Sequence, residues 1–197
     1  MTRIKFAVAF LAVLALAGCY PPVTSSPVGT TAGAKDDPTL TGTWKGTDSE
    51  KKVTYLHFLP RPQSDEKMAI LVPSGGEMAD LMIVTFSTAR FGSFGYMNVR
   101  FAKSDGKPIE DQPPGTVPVL YRLDAKGALT LALMDEKLVK DAVKAHRLKG
   151  TFEKTIGGGD DGDVTITETP AALDRLFAAP SVTTLFAKPF LTLHRVD

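Results

Sequence analysis

The chain is short of the residues that staple folds or build metal sites. Its 197 residues include one cysteine, one tryptophan and three histidines. A single thiol excludes an intramolecular disulfide. The 23 basic and 22 acidic side chains nearly cancel, leaving a formal net charge of +1. That balance gives no electrostatic case for nucleic acid or an anionic membrane surface as partner. Frames that carry chemistry are missing too. Ser74-Gly75-Gly76 lacks the Gly-x-Ser-x-Gly frame of a nucleophile elbow, and no His-Glu-x-x-His is present. His57, His146 and His194 are far apart in sequence and read as separate surface or half-buried side chains. The reading assigns no catalytic residues, no metal and no cofactor. The longest apolar run, Phe6 to Leu16, covers 11 residues. A spanning helix needs about 20.

What is there begins at the N-terminus. Arg3 and Lys5 precede that run, and Ala17 and Gly18 follow it, the order of a secretory signal and its cleavage region. Leu16-Ala17-Gly18-Cys19 resembles the lipobox of bacterial lipoproteins: Leu, a small residue, Gly or Ala, then Cys. The resemblance covers the first 19 residues. It implies export, acylation of the Cys19 thiol, cleavage between Gly18 and Cys19, and three acyl chains on the mature N-terminus. Stable anchoring takes at least two chains or signals, so attachment would be permanent. Tyr20 follows the cysteine. In that family, a residue other than Asp there implies the outer membrane, facing the periplasm, if the cell is Gram-negative. An ordinary secretory signal that ends near a cysteine is the alternative reading. With its only thiol acylated, the chain has no Cys/His catalysis and must be stable in an oxidising compartment without disulfides.

Removing residues 1–18 takes away Arg3 and Lys5, leaving 21 basic and 22 acidic side chains. Tyr20 to Pro38 is rich in Pro, Gly, Ser and Thr without hydrophobic period. It reads as a flexible tether spanning roughly 25 Å, which would hold the domain off the bilayer. The organisation expected is a signal peptide at 1–18, a lipidated N-terminus with tether at 19–38, and one β-rich domain at 39–197.

Within that domain, short alternating runs are separated by turn residues. Strands are expected at 42–46, 53–59, 68–72, 81–87, 94–102, 117–123, 129–133, 151–155, 164–167 and 190–195. The runs at 68–72 and 81–87 are dense in aliphatics, which points to burial on both faces. Asp124-Ala125-Lys126-Gly127 marks a hairpin. Asp135 can cap a helix over about 136–146, with Leu138, Val139, Ala142 and Val143 as its apolar stripe. Thr169-Pro170 opens a second over about 170–178, packing through Leu173, Leu176 and Phe177. The fold class is mainly β, an antiparallel barrel or sandwich with two short helices.

Gly42-Thr43-Trp44 opens the first strand of the domain. It is similar to the Gly-x-Trp that starts lipocalin and lipocalin-like barrels. That resemblance implies Trp44 at one barrel end, with Arg195 or Arg122 packed over it. The late helix and final strand fit the order. The Thr-Asp-x motif of central lipocalin strands is missing, and the helix at 136–146 is an addition.

Two loops invite a functional reading. Gly157 to Asp163 sets three carboxylates among glycines, but without EF-hand spacing, so a solvated hairpin turn explains it. Phe91 to Tyr96 mixes aromatics with glycines, as a lip over a pocket, a partner patch or a turn whose aromatics return to the core. The function expected is a membrane-anchored envelope lipoprotein whose β domain binds a small apolar ligand or an envelope protein. An envelope hydrolase with scattered polar residues is the alternative.

Overall fold

Alternation along eight strands is resolved by rolling one sheet into a closed barrel. The computed structural model describes residues 21–47, 53–60, 66–73, 81–104, 106–109, 114–153, 162–186 and 189–196. Its strands begin with β1 (Val23–Thr24), β2 (Gly42–Thr47), β3 (Val53–Leu59), β4 (Lys67–Pro73), β5 (Met82–Phe91) and β6 (Phe94–Ser104). They continue with β7 (Lys107–Pro108), β8 (Val117–Leu123), β9 (Ala128–Leu133), β10 (Gly150–Glu153), β11 (Asp163–Ile166) and β12 (Leu191–Arg195). Two helices, α1 (Glu136–Lys144) and α2 (Pro170–Ala178), lie between β9 and β12.

Strands β2, β3, β4, β5, β6, β8, β9 and β12 pair antiparallel in that order, and β12 returns to β2. Of the two architectures expected, the barrel forms. The β12–β2 pairing closes it, and side-chain parity sorts its inside from its outside. In β3, Thr54, Leu56 and Phe58 are buried, while Val53, Tyr55, His57 and Leu59 keep more contact with solvent. Met97 and Val99 of β6, Val119 and Tyr121 of β8, and Leu191 and Leu193 of β12 join Leu56 and Phe58 in one apolar interior. Lys45, Arg100, Arg122 and His194 are exposed. This apolar interior is the opposite of the polar lumen of a membrane-spanning barrel.

A second core lies outside the wall. Tyr96, Leu120 and Ala132 project outward from β6, β8 and β9, and are covered by Val139, Ala142 and Val143 of α1 and Leu173 and Phe177 of α2. Tyr96 anchors this layer: its ring meets Phe177 edge-on at 5.1 Å, and its hydroxyl donates to the Phe177 carbonyl at 3.1 Å. A three-stranded sheet, β1-β11-β10, sits beside it, with β1 parallel to β11.

Several expectations need correction. The outward sides of β4 and β5 are only half-buried, at Met68, Ile70, Val72 and Ile83. Helix α1 ends at Lys144, and His146, at φ 55, turns the chain out of the helix. Leu138 is 42% exposed, which removes it from the packing stripe. The largest difference is the segment read as a flexible tether. Residues 21–41 lie along the barrel and its outer layer, with Val23, Thr24, Val28, Asp37 and Leu40 buried. Composition missed this because the segment is held by hydrogen bonds to distant side chains rather than by its own apolar period.

Candidate functional site

The barrel does not fill itself. A cavity of about 110 Å³ remains inside, and every lining side chain is apolar. Leu56 and Phe58 of β3, Ala69 of β4, Val84 of β5, Val119 of β8 and Leu131 of β9 are among its walls. Pro21 and Phe190 line it as well. The cavity is smaller than the ~150 Å³ void that holds a benzene, and well below the ~300–1,000 Å³ of common small-molecule sites. Its size suits the end of an alkyl chain, not a whole metabolite.

Around Trp44 the interior is shut. Asp37 caps a 3-10 turn at Pro38–Leu40, accepting from the backbone and hydroxyl of Thr39. Trp44 is buried, and its Nε1 donates to the Leu40 carbonyl at 2.7 Å. The Arg195 guanidinium lies over the Trp44 ring at 4.6 Å and donates to the carbonyls of Thr41 and Thr39. Arg122, the other cation considered, lies over Phe94 at 5.4 Å. Gly42 has φ 127, and a Cβ there would stand 2.7 Å from Arg195 Nη1. A glycine at this position leaves room for the arginine to reach across.

Residues 21–41 form a strap fixed along its length, with Gly33 and Lys35 bonded to the backbone of Arg90 and Thr88. Thr24 exchanges two backbone hydrogen bonds with Thr116, at 2.8 and 3.0 Å. The Asn98 side chain accepts from the Val28 amide at 2.7 Å and donates to the Val28 carbonyl at 2.9 Å. Asp174 of α2 gathers the amides of Gly29, Thr31 and Ala32 together with the Thr31 hydroxyl. Asp37 accepts from the buried Tyr121 hydroxyl at 2.7 Å and pairs with Arg90 at 3.4 Å. Tyr121 in turn lies against Gly95, where a Cβ would stand 2.3 Å from its ring.

These groups titrate abnormally. Burial pushes the Asp174 carboxyl up, but the hydrogen bonds from Thr31, Gly29 and Ala32 outweigh it and hold it below the usual carboxylate range. Burial likewise opposes ionisation of Asp37, and Thr39, Tyr121 and Arg90 together outweigh it, again holding the carboxyl down. Burial first, then Asp37, pushes the Tyr121 phenol up. Burial pushes Tyr96 up to about 12, against the opposing charge of Arg122.

The candidates read from sequence are dispersed. Gly18 and Cys19 lie outside the described residues, as do Ser74-Gly75-Gly76, Asp160 and Asp161. Asp163 is buried on β11, in register with Glu153. His57 Nδ1 is 3.0 Å from the Thr43 hydroxyl, and His194 stands opposite Lys45 and Ala128. No group of three metal-ligating side chains gathers among the described residues. Phe91 and Phe94 flank a tight hairpin turn and pack against the outer core. The cavity itself was not read from the sequence; Asp174 and Asn98 gave no signal beyond being polar residues on a helix and a strand.

No protein-family model matches the chain, and no characterised protein or solved structure matches it significantly.

Proposed function

We propose that the chain is a lipid-anchored lipoprotein of the bacterial envelope, working as a binding module that shelters an apolar chain inside its barrel. The observation that carries the reading is the cavity: about 110 Å³ with no polar side chain in its lining among the described residues. An apolar hollow of that kind favours apolar guests. Each methylene taken from water into it gains about 0.8 kcal/mol. The signal-like Arg3 to Cys19 segment supports a location at a membrane, where acyl chains are the abundant apolar species. In a Gram-negative cell, Tyr20 after the cysteine favours the outer membrane, facing the periplasm.

The test is native mass spectrometry of the full chain expressed in a bacterial host and released in mild detergent. The expected result is a chain beginning at Cys19, heavier by its acyl groups, with an alkyl-chain guest inside. Cys19→Ala is expected to leave the signal uncleaved and remove the acyl mass. A full-length, unmodified Cys19 in the parent chain sinks the anchor. An acylated chain that neither retains nor takes up an alkyl probe sinks the binding role and turns attention to envelope proteins as partners.

A further inference from the structure

We propose that the occupant of the barrel cavity is the end of an acyl chain carried by Cys19 of the same molecule. This rests on the lipid-anchor reading and deepens it by naming the guest.

The first argument is reach. Pro21 is part of the cavity wall and is buried. Cys19 stands two residues before it, and two extended residues span at most about 7 Å. Chain length alone therefore keeps the Cys19 attachment within about 7 Å of Pro21. The second argument is that the attachment does not swing away. Thr24, Val28, the 29–32 turn and Asp37 are each fixed to the barrel or its outer layer. A freely jointed tether of the kind expected from composition would dilute the chain end over a wide volume. The observed strap removes that dilution, so the guest meets the cavity as an intramolecular ligand at millimolar effective concentration or higher.

The third argument is size. At about 110 Å³, the void takes a chain end but not the headgroup and two chains of a free lipid. A chain end threading past Pro21 leaves its covalent attachment outside, as a Cys19 lipid would. The driving force is modest while the tail lies in a bilayer, which is already apolar. It grows when the protein leaves the membrane, where the tail would otherwise face water. Filling the void also restores dispersion contacts that its lining lacks. Barrel and bilayer thus compete for one tail.

The experiment uses the full chain, produced in a bacterial host fed a fatty acid with a photoreactive diazirine in its tail. The intact mass reports acylation of Cys19. Illumination in mild detergent, followed by peptide mapping, reports where the tail lies. The expected result is an intramolecular crosslink from the Cys19 peptide to wall residues such as Ala69, Val84 or Leu131. That crosslink is expected to be lost in Ala69→Leu and, independently, in Val84→Phe, both of which fill the void. An acylated chain whose crosslinks all fall outside the barrel overturns the proposal. So does the converse arm: unlabelled protein in phosphatidylethanolamine vesicles with diazirine-bearing chains, if the wall crosslinks arise there instead. Absence of acyl mass on Cys19 overturns the anchor and this proposal together, and is read separately from the crosslinks.

Discussion

Trp44 shows how far one residue is determined by its neighbours. It is the only tryptophan of the chain, and it meets Leu40 through its ring nitrogen and Arg195 through its face. Trp44→Ala is expected to lose about 3–5 kcal/mol in urea unfolding, as large buried aromatics do on truncation. A midpoint equal to the parent's contradicts the packing described. Gly42→Ala is a finer probe, because it puts a methyl at φ 127 beside Arg195 Nη1. The expected cost is about 1–3 kcal/mol, typical of a side chain forced into a sparsely populated conformation. Here the sequence was legible: Gly42-Thr43-Trp44 marked the position, and Arg195 was one of the two arginines considered. Asp174 was not legible. It sits among apolar neighbours of α2, and its partners lie 142 to 145 residues upstream, beyond the reach of local pattern.

At the scale of elements, strand positions followed from period-two alternation, and most boundaries agree within a few residues. The strap was read as coil because its order is supplied from outside. Two carboxylates supply much of it, so the strap is expected to respond to acid. Both Asp37 and Asp174 have carboxyls held below their ordinary range. Their contribution is fully present above the unfolded value near 3.9, and is lost as pH falls through the lower folded values. Protection of the Gly29, Thr31 and Ala32 amides, relative to their intrinsic exchange at each pH, is expected to hold down to about pH 4 and to fall below it. Asp174→Asn replaces an acceptor oxygen with a donor opposite those amides. It is expected to cost about 1–3 kcal/mol and to open the strap to proteolysis at neutral pH. Unchanged exchange in that variant would mean that the strap's other anchors, at Thr24, Val28, Gly33, Lys35 and Asp37, hold it without Asp174.

For the molecule as a whole, parity within strands was enough to foresee a closed or stacked β fold, but not to choose between them. The choice depends on β12 returning to β2, a pairing between the two ends of the domain. Nor does parity reveal a void, since that depends on how large side chains are distributed around the circumference. Small Ala69 stands in the wall where a larger residue would fill the space. Ala69→Leu is therefore expected to raise the melting temperature while removing uptake of an alkyl probe. A lowered melting temperature would show that the wall cannot move enough to take three more carbons.

The strap and the barrel seam also bear on the order in which the molecule comes together. Arg195 closes on Thr39 and Thr41 across separations of 156 and 154 residues, and Asp174 reaches back 145 residues to Gly29. Contacts of such range form late and slowly, because the closure entropy is met before any reward arrives. A chain synthesised from its N-terminus has its first forty residues waiting for its last thirty. Until those arrive, the strap lacks Asp174 and Trp44 lacks Arg195, so the polypeptide stays incompletely locked until almost its whole length has been delivered.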